Sequence, residues 1–130
     1  MKLVKVGQEN QNLATYKFFT YRQNNTGGSF SGPALYVIVE AINASDADVR
    51  AEMNGVYFNG CDSGSDCECC GDRWYTTYGE GDAVPTVGAT ALSEMDEQKL
   101  KWDSEWCKAD KLAYAIVVYR NGNVVTYNIK

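Results

Sequence analysis

Leu112-Ala113-Tyr114-Ala115-Ile116-Val117-Val118-Tyr119-Arg120-Asn121-Gly122-Asn123-Val124-Val125-Thr126-Tyr127-Asn128-Ile129 is the stretch that decides the fold. Two runs rich in β-branched and aromatic residues flank an Asn-Gly pair. Such runs suit a pleated, half-buried surface. Asn121-Gly122 is the pair preferred by a two-residue type I′ turn, where both central residues need positive φ. The reading is a C-terminal β-hairpin.

Working back from it, Leu35 to Ala41 (Leu-Tyr-Val-Ile-Val-Glu-Ala) is almost wholly apolar and predicts a central strand. Tyr16 to Gln23 alternates, with Tyr16, Phe18, Thr20 and Arg22 on one face and Lys17, Phe19, Tyr21 and Gln23 on the other. It ends in the loop signal Asn24-Asn25-Thr26-Gly27-Gly28-Ser29. A helix is expected after the central strand, with Ser45 as N-cap, Asp48 as its partner, Val49 and Met53 on one face, and Gly55 beyond its end. Val56-Tyr57-Phe58 is expected to be extended again, Trp74 to Tyr78 to be a further strand, and Glu80 to Ala89 to be irregular. A second helix is expected over about Leu92 to Trp102, capped by Ser93 and Asp96. The sum is one small α+β domain over residues 1–130, with a mostly antiparallel sheet of four to six strands and one or two helices on one face.

Composition bounds the function. The chain carries 12 basic and 17 acidic side chains, a net charge of −5. That disfavours general nucleic-acid binding, which works by neutralising phosphates, and an anionic membrane surface. No apolar run approaches the length of a membrane span. Met1 to Gly7 turns polar at Gln8 and does not read as a signal peptide. The expected compartment is therefore the cytoplasm, where cysteines are metal ligands or buried thiols rather than disulfides. The chain has no histidine. No Ser-His-Asp or Cys-His centre can form, and the expectation is a non-enzymatic protein.

Four of the five cysteines crowd into Cys61-Asp62-Ser63-Gly64-Ser65-Asp66-Cys67-Glu68-Cys69-Cys70-Gly71. Thiolates are zinc ligands, and zinc takes four donors in a tetrahedron. Cys61, Cys67, Cys69 and Cys70 are the candidate metal ligands; a set of Cys61, Cys67, Cys70 and Cys107 is the variant. The competing reading is a turn with small buried thiols, because free cysteine packs as a small hydrophobe. The oxygen donors Asp62, Ser63, Asp66, Glu68 and Asp72 do not have the spacing of a calcium loop.

Two arginines mark a ligand site. Arg22 leads into the glycine-bearing loop, whose amides suit an anion. Arg73 stands beside Trp74, and arginine with an aromatic ring suits a nucleobase. The candidate set is Tyr21, Arg22, Asn24, Asn25, Arg73 and Trp74, with both arginines expected in one cavity. Against it stand a plain hairpin loop for Arg22 and a core role for Trp74.

The strings Phe18-Phe19-Thr20-Tyr21-Arg22-Gln23-Asn24-Asn25-Thr26-Gly27-Gly28-Ser29-Phe30, Tyr36 to Ala41, Gly55 to Gly60 and Asp66-Cys67-Glu68-Cys69-Cys70-Gly71-Asp72-Arg73-Trp74-Tyr75 resemble a family of small uncharacterised proteins of bacteriophages and prophages. The resemblance covers about residues 16 to 78. It implies a phage protein made in the host cytoplasm and acting on host physiology or defence. Its partner would be a host protein or an anionic small molecule such as a signalling nucleotide, with a homo-oligomer left open. No cofactor is implied; zinc is the candidate. The alternative is a small zinc-binding interaction module held by the Cys61–Cys70 segment.

Overall fold

The computed structural model describes Lys2 and residues 15–130. The N-terminal leader reading lies outside the described residues.

Four strands form the main sheet. They are β1 (Lys17–Arg22), β2 (Ala34–Ala41), β5 (Ala113–Val118) and β6 (Val124–Tyr127), in the order β1-β2-β5-β6. β1 and β2 are antiparallel with Phe19 opposite Val39, and β5 and β6 are antiparallel with Val117 opposite Val125. β2 and β5 are parallel, Val37 lying opposite Ile116. A parallel pair needs a crossover, and two helices sit within it: α1 (Ala44–Glu52) and α3 (Glu97–Asp110). Between them come the four-residue α2 (Gly60–Ser63) and a two-stranded ribbon, β3 (Thr86–Val87) with β4 (Thr90–Ala91).

Alternation along the strands splits the interior into two clusters. Phe19, Tyr21, Val37, Val39, Ile116 and Val118 face one way and pack with Ala47 and Ala51 of α1 and with Trp74. Phe18, Tyr36, Ile38, Ala115 and Val117 face the other and pack with Cys107 of α3, Val87 and Leu100. One helix thus covers each face, instead of both sharing one. β2 is buried on both sides, which is why its sequence does not alternate.

The elements differ from expectation in instructive places. The cap of α1 is Asn43, whose side chain accepts from Asp46 N–H at 2.8 Å; the pairing has moved two residues upstream of Ser45. Its buried face is Ala47 and Ala51, small enough for close approach to the sheet, while Val49 and Met53 are exposed. Helix α3 begins at Glu97 under the cap Asp96, which accepts from Lys99 N–H at 2.9 Å, and Ser93 sits in a separate 3₁₀ turn, Leu92–Glu94. Residues 74–78 form no strand; Trp74 is a core plug, and Thr77 N–H is taken by Asp48 at 3.0 Å. Val56 to Phe58 likewise joins no sheet.

The C-terminal hairpin forms, but its turn is longer than type I′. Gly122 N–H bonds the Tyr119 carbonyl at 2.9 Å, and Tyr119 N–H bonds the Asn123 carbonyl at 2.8 Å. Gly122 has φ +91° and Asn121 is not in the left-handed region. This is a type I turn closed by a left-handed glycine, and it needs one positive φ instead of two.

Candidate functional site

Gln23 follows β1 and is 2 % exposed. A buried amide must find partners for both ends. Its Nε2 donates to the carbonyls of Ser31 and Ala34, both at 2.7 Å, and its Oε1 accepts from Ser31 N–H at 3.0 Å and from Arg73 Nη1 at 3.0 Å. The β1–β2 loop is therefore folded over one side chain.

Arg73 spends its donors on the protein. Besides Gln23 it donates to the carbonyls of Ser29 at 2.9 Å and Thr26 at 3.3 Å, and through Nε to the Tyr57 hydroxyl at 3.2 Å. Its Nε also lies 3.8 Å from the buried carboxylate of Asp66. Asp66 in turn accepts from Tyr57 Oη at 2.5 Å and from Arg73 N–H at 2.8 Å. Burial first, and then the bond to Asp66, push the Tyr57 hydroxyl above its ordinary range.

This network corrects the expected ligand set. Arg73 is a buried tie between two loops, and Trp74, 1 % exposed, belongs to the α1-side core. Tyr21 points to that same core and donates to Asp48 Oδ1 at 2.6 Å. Arg22 and Arg73 do not share a cavity. The physical reason is register: Arg22 falls on the opposite face of β1 from Tyr21 and Gln23.

Arg22, Asn24 and Asn25 do come together. With Gln23, Phe30, Tyr75, Trp102 and Trp106 they line a groove of about 390 Å³ between the β1–β2 loop and α3. Trp102 is 75 % exposed, Tyr75 58 % and Trp106 39 %. Phe30 holds Trp106 edge-on with ring centroids 5.6 Å apart. Asn24 is fixed by its amide, which donates to the carbonyls of Cys70 at 2.7 Å and Asp72 at 3.3 Å. Arg22 is exposed and its side chain makes no hydrogen bond or ion pair with any described residue. It is near enough to Tyr36 to oppose the rise of that hydroxyl, which burial and Asp103 push up to about 12. The rings of α3 and Tyr75 escaped the sequence reading because only the crossover brings them to the loop. A larger cleft of about 780 Å³ lies between α3 and Lys130, but it mixes the apolar Met95, Leu100 and Ile129 with charges of both signs and has no aromatic ring.

The cysteine loop forms the wall beside this groove. Thr26 Oγ1 donates to the Cys67 carbonyl at 3.4 Å and accepts from Cys67 N–H at 3.2 Å. Cys67 also accepts, at its carbonyl, the N–H of Cys70 at 3.2 Å and of Gly71 at 3.0 Å. Gly71, at φ +87°, lets the chain turn back there. The Sγ atoms of Cys67, Cys69 and Cys70 lie within 4.8 Å of one another. Cys67 and Cys69 are 2.6 Å apart, and Cys69 and Cys70 3.5 Å. Cys61 stands outside this trio. Its thiol donates to the Cys67 carbonyl at 3.5 Å, and hydrogen bonding to Asp72 pushes it up to about 11. Cys107 is buried on the opposite side of the sheet, so the Cys61–Cys67–Cys70–Cys107 set is not assembled. The thiols of the loop are exposed, apart from half-buried Cys61, and are not core residues.

The model of a family described as a domain of unknown function (DUF7296) matches residues 16–130. No curated protein and no solved structure matches the chain. No helix among the described residues is long and apolar enough to cross a membrane.

Proposed function

We propose that this chain, which belongs to the domain family of unknown function DUF7296, is a non-enzymatic binding protein whose Arg22 groove takes an anionic nucleotide. The observation that carries the reading is the pairing of Arg22, a guanidinium without an ion-pair partner among the described residues, with three exposed rings. A planar base stacks on such rings, and a guanidinium forks onto phosphate. Asn25 adds an amide, and Asn24 the carbonyl oxygen that its bonds to Cys70 and Asp72 leave over, to read a base edge or a sugar. A volume of about 390 Å³ suits one small ligand. The groove offers a guanidinium, amides and rings, which are binding groups, and presents no acid–base pair.

In the phage setting that the sequence resemblance implies, the protein would work in the host cytoplasm, on host physiology or defence, by sequestering a nucleotide signal. A host protein docked on the same rings is the competing partner.

Calorimetry against a panel of linear and cyclic nucleotides tests this. One site per chain is expected, with affinity falling at least about fivefold in Arg22→Ala and in Trp106→Ala. Absence of binding by every nucleotide, or binding indifferent to Arg22→Ala, overturns the reading.

A further inference from the structure

The loop beside the groove carries a second site, argued from different residues. Cys67-Glu68-Cys69-Cys70-Gly71 is one tight turn. Its geometry does three things at once. The Cys67 carbonyl collects the N–H groups of Cys70 and Gly71, which curls the chain. The left-handed Gly71 lets it leave in the reverse direction. The curl then sets three sulfurs around one point, all within 4.8 Å of each other and facing solvent.

We propose that Cys67, Cys69 and Cys70 form a three-thiolate site for a thiophilic d¹⁰ ion, Zn²⁺ or Cu⁺, with one side open to solvent. Soft thiolate ligands select these ions. Zinc–sulfur bonds of about 2.3 Å set ligand sulfurs about 3.8 Å apart, so small rotations that part Cys67 from Cys69 bring all three sulfurs onto one ion. Charge supports the same end. Glu68, Asp62 and Asp72 surround the loop with negative charge, which favours a cation.

The site is not what folds the protein, because the two apolar clusters lie elsewhere. Cys61 is left out of the trio by its bond to the Cys67 carbonyl, so the fourth position belongs to water or an incoming ligand. Binding replaces the thiol protons: each sulfur that joins the ion releases one H⁺, with no change of oxidation state. Affinity must therefore weaken as pH falls.

The test uses the full chain, reduced and kept anaerobic. Metal content is measured after purification without chelator, and the apo protein is titrated separately with Zn²⁺ (with Co²⁺ as its coloured stand-in) and with Cu⁺. The expected result is one ion per chain and a thiolate-to-metal charge-transfer band. Both should be lost in Cys67→Ser/Cys70→Ser and kept in Cys107→Ala and Cys61→Ser. The arm that saturates at one equivalent names the ion. Failure to hold either ion, or a band that survives the double variant, overturns the proposal. So does a chain that takes up no metal when reduced but, on air exposure, loses two hydrogens to join Cys67 to Cys69. None of these readouts involves a nucleotide, so the site stands or falls separately from the groove.

Discussion

Arg73 Nη1 donates to Gln23 Oε1 at 3.0 Å, and this bond is the buried centre of the set that fastens the cysteine-bearing loop to the loop that follows β1. The two residues are 50 positions apart in sequence. Neither is free to meet a ligand, and both are needed to hold the groove's wall in place.

Replacing Arg73 should therefore be costly in a way that replacing Arg22 is not. Arg73→Ala leaves the buried Asp66 carboxylate short of its cation and strands the carbonyls of Ser29 and Thr26. Removing one partner of a buried pair costs about 3–5 kcal/mol. Arg22→Ala, on the surface, should stay within about 0.5 kcal/mol of the parent. Urea denaturation of both variants decides it; equal midpoints would contradict the role given to Arg73.

Gly60 opens α2 directly against Asp66. A Cβ at that position would lie 1.8 Å from Asp66 Oδ2 and 2.8 Å from the Tyr57 ring. Asp66 cannot retreat, since it is bonded to Tyr57 and Arg73. Gly60→Ala should cost about 3 kcal/mol, the upper range for overpacking. Ser63→Ala, on the same turn but exposed, should be near neutral. Thermal unfolding of the two compares them.

The three tryptophans report separately on core and groove. Trp74 is buried, while Trp102 and Trp106 border the groove. Acrylamide should quench most of the emission in the parent and much less of it in Trp102→Phe/Trp106→Phe. A bound nucleotide should protect these two residues and leave Trp74 unchanged. Loss of a stacking ring costs about 1–3 kcal/mol, roughly five- to 150-fold in affinity. Protection confined to Trp74 would place the ligand elsewhere.

Alkaline pH should destabilise the fold through Tyr36. Its hydroxyl donates to Asp103 Oδ2 at 3.1 Å, and burial with the Asp103 charge pushes it up to about 12. Tyr114 is pushed up as well, chiefly by burial. The unfolded chain releases these protons near pH 10, about the ordinary tyrosine value. The folded state holds them longer, so their contribution is fully present below that point and is lost as pH climbs towards 12. The Cys107 thiol, pushed up to about 11 by burial, adds the earliest part of the decline. Tyr36→Phe should cost about 1 kcal/mol at neutral pH and flatten the alkaline limb. Urea midpoints across the alkaline range check both.

The sheet was readable in the sequence because its strands carry their own pattern. β1 alternates and β2 is uniformly apolar, and the glycine after Asn121 announces the hairpin. Helix boundaries slipped because several side chains compete for each cap: Asn43 displaced Ser45, and Asp96 displaced Ser93. Arg73 was misjudged because an arginine beside a tryptophan looks the same whether its donors are spent or free. Only the fold brings Gln23, Thr26 and Ser29 to it. Trp102 and Trp106 were missed because their partners, Arg22 and Phe30, lie across the crossover. The Cys67–Cys70–Gly71 turn was written in the sequence as two cysteines three apart before a glycine. The intervening Cys69 made the spacing look like crowding.

The parallel pairing of β2 with β5 has a consequence for how the chain is made. Ala34 waits for Ala113, nearly eighty residues downstream. During synthesis the β1–β2 ribbon can close early, but the far edge of β2 stays open until Ala113 to Val118 have left the ribosome. Distant pairings of this kind slow folding. A nascent chain stalled anywhere before Tyr114 would present that bare apolar strand to chaperones or to its neighbours on the same message.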